Sequence, residues 1–375
     1  MDPAPPATFL DLNDWEVVRQ FLPAGWQEQA RATGALTRAR GVRTAEDLLR
    51  VLLLHLGCGF SLVETASRAR MAGWSQASSV ALFKRLKASE EWLRWIAVGL
   101  RNRPEAVTLP EQRRMVALDA TTVSEPGSTG TDWRIHYAFN LRSLQCEFFE
   151  LTDVHGGESW RRFPIQAGDI WIGDRHYANG VGVAHVLLHG GDVIVRWKLR
   201  GLPLQTATTG RKLPFFAATR GLRVGEVRDL PTQLLLDQQA PQTGRLIVLR
   251  RTAAAAERGR HRAKRYAQLK HKKPSPAVMK AASYFAIWTT LPETWPARDL
   301  LEYYRLRWQI ELGFKRLKSI LGAGHLPKKD PASCRAWLHG KLVVSLLIER
   351  MLEAANRFSP WGYELAAEAQ PVAGN

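Results

Sequence analysis

The spacing of hydrophobic positions changes character twice along this chain. From the start to about residue 108, apolar residues recur three or four apart over Ala45–Leu56, Leu62–Met71, Ala77–Lys87 and Glu90–Leu100. That spacing predicts amphipathic helices. Gly73 interrupts the second and third, so Leu62–Lys87 reads as a helix-turn-helix whose second helix ends in Lys84, Arg85 and Lys87. From Pro110 onward the pattern becomes short apolar runs between turn residues. Arg114–Asp119, Trp133–Asn140, Cys146–Val154, Asp169–Asp174 and Asp192–Leu199 predict strands, with a helix over Ala178–Leu188. This succession predicts a mixed α/β sheet. Shorter strands follow, at Leu222–Val227, Arg245–Leu249 and Ser283–Thr289. Helical spacing then returns over about Arg298–Leu321, with Pro296 near its start and Gly322 and Gly324 past its end. A last helix covers about Pro331–Asn356. The expected organisation is a helical region over 1–108, a core in two parts (109–199 and 293–358), a β-rich insertion over 200–292, and a loose tail over 359–375.

Composition narrows the partner. With 375 residues, 45% of them hydrophobic, the chain can bury a sizeable core. Its net charge of +18 calls for a polyanion, either nucleic acid or an anionic membrane. No apolar run approaches the ~20 residues of a membrane span, so no membrane role is expected. The start, MDPAPPATFLDLNDW, has no basic stretch followed by an apolar one, and no secretion signal is expected. Cys58, Cys146 and Cys334 stand far apart, as suits free thiols in a reducing cytoplasm. Nucleic acid is therefore the expected partner. Arg250–Lys273 fits it: ten Lys or Arg face a single acid, Glu257, and Ala253–Leu269 has helix-favouring composition. Each phosphate such a segment neutralises adds salt-sensitive affinity.

The candidate chemistry lies in carboxylates. Asp119 and Asp174 each end a predicted strand. Adjacent strands would bring them together at the rim of the sheet, where like charges repel unless a cation lies between them. Mg²⁺ suits such hard oxygen ligands, and a pair of ions can activate an attacking oxygen and stabilise a leaving one in phosphodiester cleavage. A third carboxylate comes from the late helix. Stepping 100° per residue from Tyr304 sets Arg307, Glu311 and Lys318 at about −60°, −20° and −40°. Those residues form one stripe, while Leu306, Ile310, Leu317, Ile320 and Leu321 form a separate apolar face. Glu311 is the candidate third ligand, Arg307 and Lys318 are candidate phosphate clamps, and Tyr304 is a candidate contact to phosphate, sugar or base. Thr121 and Thr122 are candidates to bond a carboxylate or a phosphate, and Arg175 to hold DNA. Neither a G-x-S-x-G elbow nor a P-loop is present, which argues against a serine hydrolase or an NTPase.

The spacing Tyr304-x2-Arg307-x3-Glu311-x6-Lys318 resembles the signature of the insertion-sequence-4 family of DDE transposases. LDATTV around Asp119 is similar to that family's first-aspartate block, and IGDRHY around Asp174 to its second. The resemblance covers about Met115 to Leu321. It implies an RNase H-like core with a β-rich insertion, behind a helical DNA-binding region. It implies Asp119, Asp174 and Glu311 as ligands of two divalent ions, Mg²⁺ or Mn²⁺. It also implies cleavage at the ends of a mobile element followed by transfer of the freed 3′-hydroxyl to new DNA. In the family an aromatic residue before the glutamate helix stacks on a flipped base; Phe285 stands nearest that place, with Tyr284 and Trp288 as rivals. One departure is visible: His176 occupies the position usually held by glycine. The expected partner is double-stranded DNA, terminal inverted repeats and target alike. The expected working unit is a homodimer on that DNA in the bacterial cytoplasm, at the nucleoid. Two alternatives are a nuclease without strand transfer and a non-catalytic DNA-binding regulator.

Overall fold

The computed structural model describes residues 14–102, 113–128, 130–199, 201–236, 240–327 and 329–357. The expected boundary near Pro110 and the tail from 359 lie outside them. The chain divides into two compact units, one of Met1–Ala106, Ser124–Thr129 and Lys315–Asn375, the other of Val107–Val123 and Gly130–Phe314.

The first unit begins with α1 (Asp14–Phe21), α2 (Trp26–Ala32), α3 (Ala45–Leu56), α4 (Leu62–Met71), α5 (Ser79–Ala88) and α6 (Glu90–Arg101). Hydroxyl caps fix where three of them start. Thr44, Ser61 and Ser78 accept from the backbone N–H groups of Asp47, Glu64 and Ala81 at 3.0, 3.1 and 3.3 Å. Each such cap is worth about 1 kcal/mol. The expected pair over Leu62–Lys87 is present as α4 and α5. Gly73 takes φ +74° after α4, but the connection runs on to Ser78, longer than the ~3–4 residues of a helix-turn-helix turn. Two of the three basic residues at the end of α5 have partners within this unit. Arg85 donates to the carbonyls of Ala35 and Arg38, and Lys87 pairs with Asp330 at 3.0 Å. Lys84 remains exposed.

In the second unit, nine strands among the described residues form one sheet, in the order β3-β2-β1-β4-β5-β9-β8-β7-β6. The strands are β1 (Met115–Val123), β2 (Trp133–Asn140), β3 (Gln145–Asp153), β4 (Ile170–Gly173), β5 (Asp192–Arg196), β6 (Leu204–Thr206), β7 (Val227–Leu234), β8 (Gln242–Arg250) and β9 (Tyr284–Thr289). The β1–β2 and β2–β3 pairs are antiparallel, β1–β4 and β4–β5 parallel. The insertion's strands continue the same sheet, because β9 pairs antiparallel with β5, and β8, β7 and β6 follow. Of Leu222–Val227, expected as a strand, only Val227 lies in β7, which pairs along its whole length with β8. The helices of this unit are α7 (Gly180–Leu188), the short α8 (Phe215–Ala218), α9 (Ala253–Leu269), α10 (Pro276–Ala281), α11 (Ala297–Leu306) and α12 (Trp308–Lys315).

Strand alternation sends side chains to two faces. One face carries the core cluster: Val116 and Leu118 of β1, Trp171 of β4, Val193 and Val195 of β5, with Val183 and Val186 of α7 packed on it. The other face carries Asp119 and is crossed by α11 and α12. There the ring of Tyr137, opposite Asp119 in register, meets Phe314 at 5.8 Å, and Phe285 meets Tyr304 at 5.4 Å. Arg245 ties β8 to the turn before α11. Its buried guanidinium pairs with Asp229 and donates to the carbonyls of Leu291 and Trp295 at 3.3 and 3.0 Å. After α12 come a π-helical turn, Arg316–Ile320, and the long α13 (Pro331–Arg357), which packs in the first unit against α6, α5 and α3.

Candidate active site

The two aspartates meet through strand register. Parallel pairing sets Met115, Val116 and Ala117 against Ile170, Trp171 and Ile172. Two more residues in that register bring Asp119 level with Asp174. The expectation that both end strands holds for Asp174, which follows β4. Asp119 instead sits inside β1, which runs on to Val123 through its pairing with β2. What ends near Asp119 is the pairing with β4, so its carboxylate still stands where the sheet opens. The other acid of β4's sequence block behaves differently. Asp169 is 3% exposed, pairs with Arg114 at 2.6 Å and accepts from the Trp171 indole at 3.0 Å. It is a satisfied structural acid. Asp174, by contrast, accepts from the backbone N–H of His176 at 2.7 Å and lies 3.2 Å from that residue's imidazole.

Arg307 joins Asp119 to the helical carboxylate. Its Nη1 donates to Asp119 Oδ2 at 3.1 Å and its Nη2 to Glu311 Oε1 at 2.7 Å. Its side chain is only 14% exposed, while that of Glu311 is 60% exposed. Burial alone would lower the guanidinium's pKa, but Tyr304, Asp119 and Glu311 together raise it. Arg307 thus holds two carboxylates from distant parts of the chain at one spot; the sequence stripe cast it as a phosphate clamp. Asp119 carries an unfavourable charge all the same. Burial pushes its carboxyl up to about 6; the Ala120 N–H and Arg307 pull it down, and Asp174 and Glu158 push it up again. Hard oxygen donors that crowd one another in this way fit a divalent cation such as Mg²⁺ or Mn²⁺.

The late helix is not the straight rod that gave the stripe. It breaks at Arg307, where Arg307 N–H bonds the Tyr304 carbonyl and Ile310 N–H the Arg307 carbonyl, three residues back in each case. It then widens to a π turn, where Leu321 N–H bonds the Arg316 carbonyl. Tyr304 ends up 6% exposed, edge-on to Phe285. Its ring is packed and is not open to a base. Leu306, expected on the apolar back, is 40% exposed, whereas Ile310 and Leu317 are buried as expected. Lys318 lies in the π turn, in the first unit, half-buried and with its pKa lowered by that burial.

The other candidates sort by exposure. Trp288 is fully buried, and its indole donates to Thr232 at 3.1 Å. It is core, which removes it as a stacking residue. Tyr284 packs edge-on against Phe215 and under the Arg250 guanidinium. Phe285 is half-buried, with the guanidinium groups of Arg196 and Arg251 at 5.0 and 5.5 Å from its ring. Thr121 is 8% exposed on the Asp119 side of β1, and Thr122 is exposed on the opposite side. Arg175 is exposed.

Two groups of functional interest escaped the sequence reading. One is Glu158, whose charge Asp119 feels directly; it lies in a loop with no periodic signal. The other is Arg196, one of a set of arginines. Burial, then Arg196, Arg175, Arg262 and Arg258, lowers the Arg251 pKa to about 10. Burial, Arg175, Arg262 and Arg307 likewise lower that of Arg196. Guanidinium groups that destabilise one another's charge are suited to a polyanion laid among them. Arg175 and Arg307 were singled out by motif and spacing, and Arg251, Arg258 and Arg262 lie in the basic stretch Arg250–Lys273, so Arg196 is the member that neither spacing nor composition marked.

A family model described as "Transposase DDE domain" matches residues 110–347. The chain is 32% identical over 359 residues to the putative transposase InsL for insertion sequence element IS186A of Escherichia coli (strain K12), across 93% of this chain and 96% of that protein. The transposase for insertion sequence element IS421 of Escherichia coli is 32% identical over 360 residues, across 93% and 96%.

Proposed function

The chain belongs to the DDE transposase family, and from that premise we propose that Asp119, Asp174 and Glu311 are its catalytic carboxylates and the ligands of two divalent ions. The protein is an insertion-sequence transposase, an enzyme of DNA cleavage and strand transfer, and domains of this family use divalent metal ions. The observation that carries the residue assignment is the bridge from Asp119 through Arg307 to Glu311, with Asp174 level with Asp119 in the sheet. The strand order around β1 supports reading the core as RNase H-like. The Tyr304, Arg307, Glu311 and Lys318 spacing supports the insertion-sequence-4 group.

Bound ions would supply charge neutralisation and an acidified oxygen at this spot. The chain's own residues do the rest. The Ala120 N–H and Arg307 orient the Asp119 carboxylate, and the His176 N–H orients that of Asp174. Arg307 engages Oε1 of Glu311, which leaves Oε2 to ligate, and a release of that bond would free Nη2 for a phosphate while Nη1 keeps Asp119. Arg196, Arg251, Arg175 and the basic α9 line the path of the DNA strand, with Phe285 between two guanidinium groups as the residue open to a base. Lys318, Thr122 and Arg175 remain candidate phosphate contacts, and Tyr304 supports Phe285 from beneath. Terminal inverted repeats and target DNA are the substrates, and two element ends imply a homodimer on DNA in the cytoplasm.

An integration assay with Mg²⁺, DNA carrying the element's ends and a supercoiled plasmid tests this reading. Joined product is the expected result. Cleavage without joining would mark a nuclease, and neither product a DNA-binding regulator.

A further inference from the structure

Next to the proposed catalytic carboxylates lies a second set of ligand atoms. Glu158, Asp174 and His176 each offer one, and all lie within 4.8 Å of one another. His176 Nδ1 is 3.2 Å from Asp174 Oδ2 and 4.0 Å from Glu158 Oε2. An octahedral ion with bonds of about 2.1 Å sets its ligands roughly 3 Å apart when adjacent and roughly 4.2 Å apart when opposite. The two separations from His176 Nδ1 fall in that range.

The arrangement is held in place. Trp160, two residues after Glu158, is fully buried; its indole donates to the Tyr177 carbonyl at 2.8 Å and its ring meets that of Tyr177 edge-on at 5.3 Å. A Cβ on Gly173 or Gly182 would strike the Trp160 ring, at 2.8 and 2.1 Å. The Glu158 loop is therefore locked to the Asp174–Tyr177 turn by close packing. A further group points to a ligand. Tyr177 is fully buried and its hydroxyl has no hydrogen-bond partner, although such groups are almost always satisfied. After burial, the charges it feels most are Glu158, Asp119 and Asp174. A buried orphan donor three residues after Asp174 suits water or a phosphate oxygen carried on a cation.

We propose that Glu158 and His176 join Asp174 in holding one divalent cation, in a subsite that forms without DNA and without Asp119 or Glu311, and that Tyr177 donates to a ligand of that ion. The inference rests on Asp174 as a metal ligand, as read above. The imidazole must present its Nδ1 lone pair, so the ion replaces the Nδ1 contact with Asp174 and the ring keeps its proton on Nε2. An imidazole beside two carboxylates favours Mn²⁺ over Mg²⁺, which prefers an all-oxygen shell.

Titration of the DNA-free protein with Mn²⁺ alone, followed by electron paramagnetic resonance, tests this. One tight Mn²⁺ site with ¹⁴N modulation from a histidine is expected. The ¹⁴N signal disappears in His176→Ala, and Glu158→Gln weakens Mn²⁺ binding by about tenfold or more. The Asp119→Asn, Glu311→Gln double variant keeps both the site and the ¹⁴N signal. Absence of a tight site, absence of ¹⁴N modulation in the unmutated protein, or unchanged affinity in both single variants overturns the proposal. None of those results touches the catalytic reading, which stands or falls on Mg²⁺-dependent DNA cleavage by Asp119, Asp174 and Glu311 variants.

Discussion

Asp119 shows how one residue carries the tension between stability and function. Its carboxyl is pushed up to about 6, with burial the largest cause, so its charge at neutral pH costs the folded state stability. The sign follows from linkage. A folded pKa above the unfolded value means that the folded protein holds the proton more tightly, and stability falls as pH rises from about 4 to about 6. Asp119→Asn should therefore stabilise the metal-free protein at neutral pH, by up to about 3 kcal/mol, while removing cleavage. Thermal melts in chelator check this; a variant that melts lower than the unmutated protein would contradict it. The conflict between Asp119 and its carboxylate neighbours was foreseeable from like-charge repulsion alone. The ion pairs of Arg307 were not, because a helical wheel shows direction around an axis and nothing of what lies across from it.

At the scale of elements, local pattern was a good guide and long-range pairing was not. Periodicity located α3, α4, β2 and α7 to within a residue or two, because caps and alternation are written locally. It had no means of predicting that β1 continues past Asp119, since that depends on β2 lying alongside. A constant 100° step likewise missed the break at Arg307 and the π turn after it. Tyr304 is buried on the same face of α11 as Leu300 and Leu301, and Leu306 is exposed. Glu158 was illegible for the same reason, as only the packing of Trp160 brings it to Asp174. The basic α9 makes its own prediction. Its start is set by Thr252, which accepts from Ala255 N–H at 3.3 Å, and its single acid pairs with Arg260 and His261. Arg258→Glu with Arg262→Glu should weaken DNA binding and lower the salt dependence by about one unit of slope per lost phosphate contact. An unchanged slope would place the DNA elsewhere.

The whole molecule joins a net charge of +18 to a site of crowded carboxylates. The positive field draws DNA in, and the carboxylates then depend on cations to bear a phosphodiester beside them. Each unit also holds a buried neutral histidine. Burial is the first cause that lowers His136 and His339 to about 4. Unfolded histidine titrates near 6.5, so the unfolded chain takes up protons first as pH falls. This contribution to stability is intact above about pH 6.5 and is lost progressively toward pH 4. Replacing His136 and His339 with Gln should flatten that part of the profile in pH-dependent melts, and an equally steep profile would point to other groups. The central claim is that three carboxylates from three separate stretches of sequence form one divalent-ion-dependent centre for cutting DNA. Single-turnover cleavage of element-end DNA in Mg²⁺ measures it most directly. Asp119→Asn, Asp174→Asn and Glu311→Gln should each slow cleavage at least about a hundredfold, about 2.7 kcal/mol of barrier, with DNA binding retained. Unmutated rates from any of the three would contradict the claim.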